Sequence, residues 1–194
     1  MQTNPPLNST RVFRDASARL RTPESTLMLP LTDPFIRSSF INASRREVKE
    51  MKLPAGFEDL ADTDWDDLDF LGWRDPKFAR RAYVVLPQLF GDPVGVTLVQ
   101  AEASPRARAM CNWCQDVRLP NEVVFWSAKR AGDAGRRGNT VGVLVCREFQ
   151  CSENVRKDPP PAYEGYDVAG ARERRIDSLR LKVAGFADML VTGR

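Results

Sequence analysis

The chain of 194 residues contains no histidine. That absence removes the side chain most often used as a general base, the Ser-His and Cys-His nucleophile pairs, and every zinc site that combines imidazole with thiolate. Long apolar runs are missing too: the cleanest apolar strand, Val141 to Val145, falls far short of the roughly 18 residues a membrane span needs. The first 27 residues mix prolines, Ser, Thr, Asn and arginines (Arg11, Arg14, Arg19, Arg21) without the apolar core of a secretory signal. Together these absences predict a soluble, cytoplasmic protein with a disordered extension over residues 1–30, no membrane partner and no small-molecule substrate. Its four cysteines should meet a reducing environment.

What is present suffices for a globular core, with 42% hydrophobic residues. Residues 1–100 hold 13 basic and 14 acidic side chains, whereas residues 101–194 hold 16 and 12, so a modest positive field sits on the cysteine-bearing half. Four thiolates around one Zn²⁺ would bring the net charge from +3 to +1, which by itself gives no case for nucleic acid.

Residues 31–102 read as an α+β region packing on the cysteine-bearing half. Asp33 is placed to N-cap a helix with Pro34 at its first position, and Ser44 with Glu47 has capping-box spacing. Asp62, Asp64, Asp66, Asp67 and Asp69 then alternate with aromatics. A calcium loop there fails, because Asp67 stands where Gly is needed and Trp73 where Glu is needed. The expectation is a loop whose Leu68, Phe70, Leu71 and Trp73 pack on the core while the carboxylates stay solvated.

Arg81 to Leu86 and Val94 to Gln100 read as a β-hairpin around Gly91, Asp92 and Pro93. Val123 to Ala128 and Thr140 to Val145 form a second pair flanking Gly132, Gly135 and Gly138, which read as turn glycines because no phosphate-loop pattern accompanies them. Residues 159–194 give a proline linker and an amphipathic helix with Ile176, Leu179, Val183, Phe186 and Leu190 on one stripe and Arg174, Arg175 and Lys182 opposite.

Residues 103–158 hold the cysteines. Cys111 and Cys114 are two residues apart, and Cys146 and Cys151 are separated by four. Tetrahedral zinc takes four thiolates, and two from one tight turn is a common supply. A redox dithiol would leave the second pair unexplained, disulfides need an oxidising compartment, and a catalytic zinc needs an open position that four thiolates close. A short helix starting near Cys151 would aim its positive end at the sulfurs. The predicted class is α+β: antiparallel β-hairpins, a treble-clef zinc finger with one structural Zn²⁺, and a C-terminal amphipathic helix.

Cys111 to Cys114 with Trp113 between them, Phe125, the Arg130, Ala131, Gly132 turn, Thr140, Val141 and Gly142, and the run Cys146 through Cys151, Ser152, Asn154, Val155 and Arg156 together resemble one known family. It is the treble-clef zinc-finger domain at the C-terminus of elongation factor G-binding proteins of the fusidic-acid-resistance type. Ser39, Phe40 and Asn42, with Leu68 through Pro76 and Arg81 to Tyr83, look like single-module actinobacterial relatives. The resemblance implies a non-catalytic zinc module that binds elongation factor G and helps it leave the ribosome. The resistance proteins carry a separate helical N-terminal domain, whereas a short, acidic, β-rich region precedes the finger here.

Strand alternation puts Phe125 and Trp126 on opposite faces, beside Lys129, Arg130, Arg136 and Arg137 at a glycine turn. These residues are the expected partner surface, an aromatic anchor ringed by cations. The alternative is ribosomal RNA or another nucleic acid on Lys129, Arg130, Arg136, Arg137, Arg156 and Lys157.

Overall fold

The computed structural model describes residues 28–54, 64–102, 109–116 and 122–193. The expected extension therefore falls mostly outside the described residues, and Met28, near its end, is buried. Residues 58–63 of the acidic segment also lie outside them.

Helix α1 (Asp33–Ser38) is capped by Thr32 and not by Asp33: the Thr32 hydroxyl accepts from the Phe35 N–H at 3.4 Å, which moves Pro34 to the second helical position. Asp33, thus inside the first turn, pairs with Arg37 at 2.6 Å. Helix α2 (Arg45–Glu50) has the expected capping box, Ser44 and Glu47 each accepting from the other's backbone N–H.

After a single 3₁₀ turn at Trp65–Asp67 comes strand β1 (Leu71–Arg74), where a loop was expected. It pairs antiparallel with β2 (Arg81–Leu86) from Leu71↔Val85 to Arg74↔Ala82. Strands β3 (Val94–Gln100), β4 (Val123–Lys129) and β5 (Thr140–Cys146) complete an antiparallel sheet of order β1-β2-β3-β4-β5. The glycine turn between β4 and β5 holds a short helix, α3 (Gly132–Arg136). Helix α4 (Cys151–Arg156) follows β5, and α5 (Val168–Thr192) ends the described chain, N-capped by Asp167 and stopped by Gly193 at φ 81°.

One face of the sheet carries Val84, Leu98, Val124, Trp126 and Val145, and α5 lies in the same core with the predicted stripe of Ile176, Leu179, Val183, Phe186 and Leu190, all buried. Each such side chain contributes about 1.5–3 kcal/mol of transfer free energy. The opposite face is covered only in part. Leu71, Trp73, Tyr83 and Val85 of β1 and β2 pack beneath Ile36, Met51 and Trp65, while Val99 and Phe125 on β3 and β4 remain 50% and 41% exposed.

A fork lies between β3 and β4. They pair only at Val99↔Ser127 and Gln100↔Trp126, and beside the first half of β3 the chain at Ser39–Ile41 takes the vacant place through Gly95 N–H to Ser39 O and Ile41 N–H to Gly95 O. Gly95 has no Cβ because one would sit 2.6 Å from the Phe40 ring. Asn42 plugs the fork: its Oδ1 accepts from the Thr97 N–H, and its Nδ2 donates to Thr97 O and Lys129 O. Strands on either side of residue 102 thus share one sheet and one core.

The acidic segment departs from expectation at one further point. The Asp69 carboxylate is fully buried, not solvated, because Arg156 of α4 and Arg180 of α5 reach it at 2.6 and 2.9 Å. Its own N–H donates to the Ser152 hydroxyl at 3.0 Å.

Candidate metal centre

Four sulfurs from two chain segments converge. Cys111 and Cys114 sit on a tight turn closed by Gln115 N–H to Cys111 O, with Gln115 in the left-handed region at φ 56°. Asn112 hangs that turn on the free edge of β5, donating its N–H to Leu144 O at 2.7 Å and accepting from the Leu144 N–H at 2.8 Å. Trp113 anchors it from inside, edge-on to Phe70 and Phe186 at 4.9 and 5.7 Å. Cys146 ends β5, and the next turn, with Phe149 at φ 58°, delivers Cys151 as the first residue of α4.

All four thiols are buried and unbridged, and their sulfurs lie within 4.8 Å of one another. The separations Cys111–Cys151 and Cys114–Cys146 are both 3.6 Å. Zinc–sulfur bonds of about 2.3 Å in a tetrahedron place sulfurs about 3.8 Å apart, while a disulfide needs about 2.05 Å. The geometry fits one Zn²⁺ held by Cys111, Cys114, Cys146 and Cys151, and four thiolates leave no open coordination position.

Without a cation, four thiols this close cannot all ionise. Hydrogen bonding with Cys114, and then with Cys146 and Cys151, holds the Cys111 thiol far below its ordinary range, while Cys146 and Cys151 are pushed up, each first by Cys111. A divalent cation removes that conflict by stabilising every sulfur as thiolate.

Residues 35–190 match the FBP C-terminal treble-clef zinc-finger family. The chain belongs to that family. Among solved structures, that of the fusidic acid resistance protein FusC is similar at 18% identity and a TM-score of 0.46, covering 79% of this chain and 58% of the other. No curated protein matches the chain. The order of this treble-clef finger is the expected one: a knuckle, a β-hairpin, then ligands at a strand end and a helix start.

The expected partner residues of the finger scatter. Trp126 is withdrawn from the surface: it is fully buried, its ring 5.3 Å from Phe149, because alternation along β4 points it at the core beneath α5. Phe125 faces the other way and lies across Gly142 of β5, where a Cβ would meet its Cζ at 2.1 Å. Arg130 is half-buried, with its guanidinium against Gly193 at the C-terminal end of α5. Arg136 is exposed and paired with Asp133, while Lys129 and Arg137 are exposed.

Two features escape a reading of the sequence. Arg156 serves the buried Asp69, and Asn154 is fully buried with its side-chain amide against two of the sulfurs. Asn154 sits three positions after Cys151 on a helix, hence on the same side, and that spacing is the available signal. Among the described residues, no helix is long and apolar enough to cross a membrane.

Proposed function

We propose that the chain is a non-catalytic, zinc-stabilised binding module for translation elongation factor G, acting in the cytoplasm to help the factor leave the ribosome. Membership of the FBP treble-clef family supports the choice of partner, through the resemblance to elongation factor G-binding proteins. A closed set of four thiolates in a chain without histidine supports the absence of catalysis. The observation that carries the docking surface is the uncovered half of the sheet, where Phe125 and Val99 stand 41% and 50% exposed on one face. An exposed aromatic of this kind supplies a desolvated anchor, and Lys129 and Arg137 steer an acidic surface toward it.

The nucleic-acid alternative finds four of its six cations already engaged within the chain, Arg136 by Asp133 among them. Arg130 serves the end of α5, Arg156 the buried Asp69, and Lys157 pairs with Glu153 at 2.7 Å.

Calorimetry with purified elongation factor G tests the proposal. Phe125→Ala combined with Arg137→Glu should weaken binding at least tenfold, about 1.4 kcal/mol, with zinc content and melting temperature retained. Wild-type affinity in that variant would remove this surface, and absence of binding by the unmutated protein would remove the partner. Binding to ribosomal RNA that falls steeply with salt, with none to the factor, would favour the alternative.

A further inference from the structure

The zinc centre brings a charge problem that its ligands do not solve. Four thiolates and one Zn²⁺ carry a net charge of −2, and the ligand residues are at most 4% exposed, so water does little to compensate. The Cys114 N–H donates to the Cys111 sulfur, and the side chain that adds to it is Asn154.

Its Nδ2 lies 3.7 Å from the Cys146 Sγ and 3.9 Å from the Cys114 Sγ, within hydrogen-bonding range of sulfur. Its Oδ1 accepts from Lys157 Nζ at 3.4 Å, and that ammonium also pairs with Glu153. The amide can point only one way: reversed, it would aim a carbonyl oxygen at two thiolates and an NH₂ at an ammonium. The backbone is pinned as firmly, because Asn154 N–H donates to Gln150 O at 3.0 Å and Arg175 of α5 donates to Asn154 O at 2.8 Å and to Lys157 O at 2.7 Å.

We propose that Asn154 is a positioning residue of the zinc centre: its amide, polarised by Lys157, donates to the Cys114 and Cys146 thiolates and withdraws charge from two of the four sulfurs. A hydrogen-bonded thiolate is a poorer nucleophile and is less readily protonated away from its metal, so the relay slows zinc loss. It acts on Cys114 and Cys146, while Cys111 already has the Cys114 N–H as its donor. Metal retention of this kind stands independently of any partner.

The test uses the full chain. Asn154→Leu keeps the branched outline of the side chain and removes both donors, and it should release zinc to a chelator about 10- to 100-fold faster than wild type. With Co²⁺ in place of zinc, the sulfur-to-metal charge-transfer band should move to longer wavelength, because a thiolate without its N–H donor gives up an electron more easily. A purely structural role for Asn154 would not move that band. Lys157→Met, half-exposed and outside the core, should shift the band the same way by a smaller amount, and it remains decisive even where Asn154→Leu fails to fold. Wild-type zinc release and an unmoved band in both variants would overturn the proposal, as would an unmoved band in Lys157→Met alone if Asn154→Leu does not fold.

Discussion

Asp69 and Arg180 stand 111 residues apart in sequence and 2.9 Å apart in the core. With Arg156 on its other oxygen at 2.6 Å, the carboxylate ties the segment before β1 to both α4 and α5. Removing one member of a buried ion pair costs about 3–5 kcal/mol, and the lower end applies here because Arg156 keeps Asp67 and the Ser152 and Asp66 carbonyls, and Arg180 keeps Asp177. Asp69→Ala should therefore cost about 3 kcal/mol of stability, measured as the urea midpoint. A change under about 1 kcal/mol would mean that water replaces the carboxylate.

The metal carries a larger share. Protein purified without chelator should contain one zinc per chain, and Cys151→Ser or chelation should unfold the finger, because the apparent binding free energy of such sites is about 10 kcal/mol or more and is linked to folding. Metal analysis showing no zinc alongside four freely titrating thiols would contradict this.

Asn42→Ala opens the fork between β3 and β4. It removes three hydrogen bonds and leaves the Thr97 N–H without its acceptor, a loss of about 1–3 kcal/mol. Amide exchange should quicken first at Thr97, and unchanged protection there would count against the role assigned to Asn42.

Tyr83 gives the fold a signature in alkali. Burial, and then its 2.6 Å hydrogen bond to Asp75, push the phenol up to about 12 from its ordinary value of 10.0. The folded state holds that proton more tightly than the unfolded chain. Its contribution is therefore complete below pH 10 and is lost as pH rises through about 12. Tyr83→Phe should show a shallower fall in stability across that window, and identical slopes would exclude Tyr83 as its source.

What the sequence made legible was local. The zinc ligands announce themselves by spacing, β2 to β5 by runs of β-branched residues, and α5 by its apolar stripe. The capping box at Ser44 also needed only four residues to read. Thr32 displaced Asp33 as cap because both residues suit that role and only the backbone decides between them. Strand β1 escaped because it has four residues, one of them Gly72, and follows a run of acids. The burial of Asp69 was invisible for another reason: its partners lie 87 and 111 positions away, and no local pattern encodes such a meeting. Asn154 was visible as a residue, but its direction depends on how α4 sits over the sulfurs.

The contact between Phe125 and Gly142 bears on how tightly the proposed docking surface would bind. Because no Cβ stands beneath it, the ring rests on bare backbone, with β5 as its floor. Folding has thereby already restricted its rotamers. A partner that closes over it avoids much of the ordering cost of about 0.5–1.5 kcal/mol that a freely rotating side chain brings to an interface. At the proposed docking surface, glycine at position 142 would thus add to affinity without touching a partner, by presenting an aromatic ring whose entropy was lost beforehand.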